Sequence, residues 1–293
     1  TDAQMNQSLG DFLKEQNFSA AFCNWYFLPM MACIWSCPTK QMLQFPVATM
    51  VRFCHNHGLL QISNRPQWWT VQGGAKHYVE KIVAGIVDKR LHTPVRQIEN
   101  LDTPSGKRTV AISTDSGTEW FDKVIIATHS DQALHLLAAP TPQERDTLGA
   151  IQYQPNKAVL HTDTSVLPQR QKAWAAWNYE RANSSAQEDT RVCLHYLLNR
   201  LQPLPWDQPV LVSLNPLRPI AKDKVIGEYD YAHPVFDLAA VAAQGRMPAL
   251  QGQQHRYYAG AWMGYGFHED GLKAGLAAAA KLLADVGREK AAA

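Results

Sequence analysis

Hydrophobic and polar positions alternate in different rhythms along this chain, and the changes of rhythm divide it. Residues 17–38 carry no charged side chain and read Asn-Phe-Ser-Ala-Ala-Phe-Cys-Asn-Trp-Tyr-Phe-Leu-Pro-Met-Met-Ala-Cys-Ile-Trp-Ser-Cys-Pro. That length approaches a membrane span, but Asn24, Pro29 and the serines argue against a continuous one. Three readings stand: a span, a monotopic membrane contact, and a buried helical segment. Residues 45–60 predict a further helix, with Pro46 in its first turn. Gly73 and Gly74 open another, whose apolar positions Tyr78, Val79, Ile82 and Ile86 recur at helical spacing.

The period then shortens. Residues 93–99, 107–112 and 119–128 read as strands separated by turns. Within the last, Asp122-Lys-Val-Ile-Ile-Ala-Thr is a continuous apolar run ending in small residues, as a buried parallel strand requires. From 140 to 254, strand-like pieces at 157–161, 172–179, 191–198 and 210–214 alternate with Pro- and Gln-rich turns. They predict an antiparallel sheet with Trp174, Trp177, Tyr179 and Tyr196 on one face, as core or as a cavity wall. The chain closes with a strand at Tyr257-Tyr258, a turn holding Gly264 and Gly266, and a helix over 271–284. Asp270 is its expected N-cap, and Leu272, Leu276, Ala279 and Leu283 are its expected apolar face.

Composition narrows the classes. The 293 residues suffice for one large domain or two intertwined ones. A formal net charge of +2 gives no electrostatic case for nucleic acid. Cys23, Cys33, Cys37, Cys54 and Cys193 form no paired framework and read as free thiols in a reducing compartment. With no signal-peptide pattern at the start, the expectation is a cytoplasmic protein, membrane-associated if the 17–38 segment touches lipid. His55 and His57 invite a metal, yet i and i+2 do not share a helix face, and capping near Gly58 is the simpler use. No Ser-His-Asp set, Cys-x-x-Cys pair or zinc spacing is visible, so no metal site is expected.

The strand–turn–helix junction carries the chemistry. The first turn of a helix has unpaired N–H groups and partial positive charge, which suits phosphate or an electron-rich carbonyl edge. Small residues at a strand end let the backbone approach a flat ligand. Ala259-Gly-Ala-Trp, then Gly-Phe-His-Glu-Asp-Gly-Leu, then Ala274-Gly, resembles the C-terminal flavin motif of the flavin-containing amine oxidase and phytoene-desaturase superfamily. The sequence is most similar to a bacterial branch of predicted NAD/FAD-binding proteins linked with cyclopropane-fatty-acid synthases, across nearly its whole length.

The resemblance implies an α/β fold: a partial FAD-binding Rossmann-like domain with an inserted α+β substrate domain. Residues 1–67 and 140–254 would form the substrate domain, and 68–139 and 255–293 the FAD domain. It implies FAD as cofactor, held by Val95, Ala127, Thr128, Gly260, Ala261, Trp262, Phe267, Gly271 and Leu272, with Tyr265 beside the flavin. His268 and Glu269 are the nearest ionisable residues, expected as a proton relay or as simple turn contacts. The implied reaction is desaturase-like hydride transfer from an apolar, fatty-acyl substrate to flavin N5. Amine oxidation and a non-catalytic binding module are the alternatives. One family feature is absent: no G-x-G-x-x-G turn follows a first strand, and Gly264-Tyr-Gly-Phe-His-Glu puts Glu269 at the third glycine. The expectation is that this unit lies in a missing N-terminal segment or on a second chain.

Overall fold

The structure is a computed structural model that describes residues 7–102, 108–182 and 191–292. Residues 1–6, 103–107, 183–190 and 293, which belong to segments read above (Lys107 among them), lie outside that range. In chain order the helices are α1 (Leu9–Glu15), a short turn Ala20–Phe22 leading through a π turn (Cys23–Phe27) into α2 (Leu28–Trp35), α3 (Thr39–Met42), α4 (Val47–Asn56), α5 (Lys76–Ala84), α6 (Ser130–Leu136), α7 (Pro142–Leu148), α8 (Leu238–Leu250) and α9 (His268–Ala292). The strands are β1 (Val95–Asp102), β2 (Arg108–Thr114), β3 (Gly117–Phe121), β4 (Val124–Ile126), β5 (Gln152–His161), β6 (Trp177–Glu180), β7 (Cys193–Leu197), β8 (Leu211–Leu214), β9 (Val225–Val235) and β10 (Arg256–Tyr258). They divide into two compact units, residues 1–87 with 153–238 and residues 88–152 with 239–293.

The first unit combines α1–α5 with a five-stranded sheet of order β6-β7-β8-β5-β9. The pairings β6–β7, β7–β8 and β5–β8 are antiparallel. The uncharged 17–38 segment resolves into a helical run whose π turn precedes Pro29, where the missing proline N–H relaxes the regular ladder. Its second half is core: Leu28, Met31, Ala32, Cys33 and Trp35 are buried. Its first half leaves Trp25 and Tyr26 exposed. No helix among the described residues is long and apolar enough to cross a membrane.

Some local expectations are corrected here, and others, among them His57 at the end of α4 and the glycine pair before α5, are met. Pro46 sits at the N-cap of α4 instead of within its first turn. His57 stacks on Phe53 at 4.0 Å and its Nδ1 lies 2.9 Å from the Phe53 carbonyl. Residues 171–173 form a 3₁₀ turn, so strand β6 starts only at Trp177. The eleven-residue β9 was not anticipated, because Glu228, Tyr229, Asp230 and Tyr231 are all exposed and break the apolar rhythm. Gly73 and Gly74 adopt φ of +77° and +94° just before α5, the left-handed region that favours glycine. Helix α5 itself buries no residue, so its predicted apolar stripe is unpacked within this unit.

The second unit holds an antiparallel sheet β1-β2-β3 and a parallel pair β4–β10. The run predicted as one strand over 119–128 is two, split at Asp122-Lys123, with β3 in one sheet and β4 in the other. Strand β4 is parallel, as predicted, pairing Val124, Ile125 and Ile126 with Arg256, Tyr257 and Tyr258. It is only partly buried: Ile126 is enclosed while Ile125 is exposed. Helix α9 starts at His268, three residues earlier than expected, and runs to Ala292. Its buried face is also different. Ala274 and Ala278 pack on Tyr257 and Ala259, while Leu272, Leu276 and Leu283 are exposed. Small side chains bring the helix close to the bulky tyrosine strand, and that close approach selects the alanine stripe.

Candidate cofactor site

Polar anchoring fixes the strand that leads into the site. Arg256 and Tyr258 point to the same side of β10, and both meet Glu144 of α7. The Arg256 Nη1 lies 3.1 Å from each Glu144 oxygen, and the Tyr258 hydroxyl donates to Glu144 Oε1 at 2.6 Å. All three are buried. Burial pushes the Glu144 carboxyl up, but the Tyr258 hydroxyl, the Thr141 N–H and the Arg256 charge together hold it below the usual carboxylate value. The Tyr258 hydroxyl is driven upward by burial and by that carboxylate.

The two edges of the parallel pair are in different states. The outer edge of β10 is closed by a side chain. Gln251 Nε2 donates to the Tyr258 carbonyl at 2.8 Å, and the Tyr258 N–H donates to Gln251 Oε1 at 2.9 Å. The Gly252 N–H donates to the Arg256 carbonyl at 2.8 Å. Among the described residues β4 pairs only with β10. Beside β4 lies a groove of about 800 Å³, lined by Val95, Ile98, Ile112, residues 124–128, and the polar Asp131, Gln132 and His135. The sheet therefore has one direction in which to extend, past β4.

Beyond the strand ends the residues are small. Ala127 and Thr128 follow β4; Ala259, Gly260 and Ala261 follow β10. Trp262 ties the two ends together, its indole N–H donating to the Thr128 carbonyl at 2.9 Å while its ring is buried. Gln244 of α8 satisfies the turn, donating to the Trp262 carbonyl at 2.9 Å and the Gly264 carbonyl at 2.7 Å. A Cβ on Gly264 would stand 2.4 Å from Asp270 Oδ1, so the turn needs glycine there.

Asp270 is not the N-cap expected of it. It lies within the first turn of α9, and its carboxylate reaches back to accept the Phe267 N–H at 3.0 Å. Glu269 and Asp270 make this first turn acidic. Negative side chains complement the helix N-terminus themselves and repel phosphate. A neutral, electron-rich ring edge fits that position better than a phosphate does. His268 and Glu269 are exposed, and Glu269 pairs with Lys273 of the same helix at 3.3 Å.

The sequence-derived residues fall into two groups. Val95, Ala127 and Thr128 line the groove beside β4. Gly260, Ala261, Trp262, Phe267, Gly271 and Leu272 belong to the turn and first turns of α9, with the Trp262–Thr128 hydrogen bond linking the groups. Sequence reasoning missed Glu144, Gln244 and Gln251, which hold this frame. No spacing signals a glutamine that will satisfy a strand edge. These residues fit one wall of a dinucleotide site: small strand ends, an apolar groove and a helix start suited to a ring edge.

Comparison with known proteins agrees on the fold. A crystal structure of a CLA-producing fatty acid isomerase from P. acnes superposes with TM-score 0.62 and 15% identity, covering 92% of this chain and 64% of that one. A putrescine oxidase redesigned in its cofactor binding gives TM-score 0.63 at 13% identity, covering 97% of this chain and 69% of that one. Cyclohexylamine oxidase from Brevibacterium oxydans IH-35A gives 0.57 at 12% identity, with 97% and 69% covered. The chain thus spans less than two thirds of the isomerase's length. No sequence among the curated proteins matches it. The model of the family described as flavin containing amine oxidoreductase matches residues 9–208, more than half of the chain. On that match the chain belongs to the flavin containing amine oxidoreductase family, whose cofactor is FAD.

Proposed function

We propose that this chain is the larger part of an FAD-dependent oxidoreductase acting on an apolar, fatty-acyl substrate. The observation that carries the reading is the pair of small-residue parallel strand ends that leads directly into the first turn of α9, with the Trp262 indole joining them. Val95, Ala127 and Thr128 would border the adenosine side. Gly260, Ala261 and the start of α9 would border the flavin ring. When bound, FAD supplies two-electron oxidation. The chain's own residues position it and exclude water. The partial positive charge of the α9 N-terminus would favour electron density on a ring edge, and His268 or Glu269 would serve as a proton relay.

The proposal places one more parallel strand, with the glycine turn that holds a pyrophosphate, against the open edge of β4. It is supplied from outside residues 7–292, by a longer form of this polypeptide or by a second one. The open edge and its apolar groove support this, since Gln251 already closes the opposite side. A fatty-acyl substrate is supported by the Met- and aromatic-rich 17–38 segment and by the likeness to a fatty acid isomerase. The amine alternative draws on the likeness to putrescine and cyclohexylamine oxidases, and on the edge-to-face Trp177–Tyr196 pair, 5.8 Å between centroids, as one side of an aromatic cage. Anaerobic mixing of the flavin-loaded protein with fatty acids and with primary amines separates them. Bleaching of the flavin band by fatty acids alone supports the proposal. Bleaching by amines alone overturns its substrate class. Failure of the natural polypeptide to bind flavin overturns the oxidoreductase reading and leaves a binding module.

A further inference from the structure

Away from the candidate cofactor site, the five-stranded sheet of the first unit holds a chain of buried polar groups that the flavin reading does not use. Cys193 and His195 are two apart on β7 and so share a face, and Glu180 is the cross-strand partner of Cys193 on β6. Asp163 N–H donates to His161 Nδ1 at 3.0 Å, His161 Nε2 lies 2.7 Å from Ser213 Oγ, and Ser213 Oγ lies 2.6 Å from His195 Nδ1. His195 Nε2 is 2.9 Å from Glu180 Oε2. His161, Cys193, His195 and Ser213 are all buried. Burial lowers the affinity of both imidazoles for a second proton. With Asp163 as a fixed donor the chain has one sense: His161 donates to Ser213, Ser213 to His195, and His195 to Glu180. Ser213 is enclosed between two rings, so this Glu-His-Ser line is not a nucleophile exposed to substrate.

The outer end of the line has a second use. Cys193 Sγ lies 3.6 Å from His195 Nε2 and 3.9 Å from Glu180 Oε2, so thiol, imidazole and carboxylate converge on one point. Tetrahedral zinc with bonds of about 2.3 Å to sulfur and about 2.0–2.2 Å to nitrogen and oxygen sets its ligand atoms roughly 3.3–3.6 Å apart. Shifts of a few tenths of an ångström in the half-exposed Glu180 side chain meet that geometry. Burial and the Glu180 carboxylate push the Cys193 thiol up to about 12, against the Leu217 backbone N–H that hydrogen-bonds its sulfur, so the thiol stays protonated until a cation replaces its proton. Leu217 and Arg218 also line a surface groove of about 810 Å³, and Arg218 Nη2 lies 3.4 Å from Glu180 Oε1. The Glu180 side chain is 28% exposed and gives the cluster its opening to solvent.

We propose that Glu180, Cys193 and His195 form a Zn²⁺ site with a fourth position open to solvent. Binding replaces the Cys193 thiol proton, which leaves to solvent, and joins β6 to β7 at the ends of their connection. His195 binds through Nε2, whose proton leaves to solvent, and takes one proton up on Nδ1, which then donates to Ser213 Oγ in place of accepting from it. Metal-bound imidazoles need this outer contact, and Ser213 has two lone pairs with which to serve both rings. The site is independent of the flavin reading. It escaped the sequence because Glu180 stands thirteen positions before Cys193, at no recognised zinc spacing; only the Cys-Leu-His alternation on a strand hinted at it.

The test is metal loading of the purified natural polypeptide, stripped with chelator and titrated with Co²⁺ and then Zn²⁺. The expected result is one equivalent of Co²⁺ with a thiolate-to-cobalt charge-transfer band that Zn²⁺ abolishes and that Cys193→Ser removes. Ser213→Ala, which keeps all three ligands, should weaken binding by about 10–100-fold. Zinc K-edge X-ray absorption on the unaltered protein needs no variant, and should give one sulfur at about 2.3 Å with nitrogen and oxygen at about 2.0–2.2 Å. No thiolate band, a band that survives in Cys193→Ser, or a zinc shell without sulfur overturns the site.

Discussion

At the scale of single residues, the frame of the candidate cofactor site rests on a buried ion pair whose members cannot be removed one at a time. Glu144→Ala would leave the Arg256 guanidinium enclosed with its charge uncompensated. The expected cost is about 3–5 kcal/mol of stability, read by chemical denaturation. A second residue-scale contact is Trp262. Trp262→Phe keeps an aromatic ring but loses the N–H that the Thr128 carbonyl accepts and part of the buried volume, so a loss of roughly 1–3 kcal/mol is expected, with the fold intact by circular dichroism. Acid should weaken the first unit through Asp163. Burial raises its carboxyl, but the Ala221 and Ser165 N–H groups and Lys224 outweigh that and hold it at about 2. A depressed carboxyl stabilises the fold fully above its unfolded value near 3.8 and loses that contribution as pH falls toward about 2. Unfolding followed between pH 5 and pH 2 should show this loss, and Asp163→Asn should flatten it.

At the scale of elements, helix α9 is the instructive case. Its existence and its glycine-turn entrance were legible, because strand formers, two glycines and an alanine-rich periodic stretch follow one another. Its buried face was not. Leucines at helical spacing outrank alanines on any hydrophobic scale, yet the partner surface is Tyr257, and only Ala274 and Ala278 let the helix lie against it. Ala278→Leu should therefore destabilise by about 1–3 kcal/mol through overpacking. Leu276→Ala should change stability by no more than about 0.5 kcal/mol. Thermal melts of the two variants check the face. Strand β4 was read from its unbroken Val-Ile-Ile run, and its parallel pairing held. Its half-exposed state was illegible, since one sequence cannot say how many neighbours a strand has. Strand β9 was missed for the opposite reason, its exposed charged and tyrosine positions carrying no apolar alternation. The polar frame of Glu144, Gln244 and Gln251 leaves no local signature at all, because its partners are brought from distant parts of the chain.

At the scale of the whole molecule, two compact units share one chain that crosses between them three times. Membership of the flavin containing amine oxidoreductase family assigns FAD, and the residues proposed to hold it lie in the second unit. The central claim is that β4, β10 and the start of α9 form one wall of that site. Hydrogen exchange of the natural polypeptide with and without FAD tests it most directly. The account predicts that FAD slows exchange in residues 124–128 and 259–272 and leaves β6 and β7 unchanged. Flavin bound with no added protection in those two stretches would contradict it.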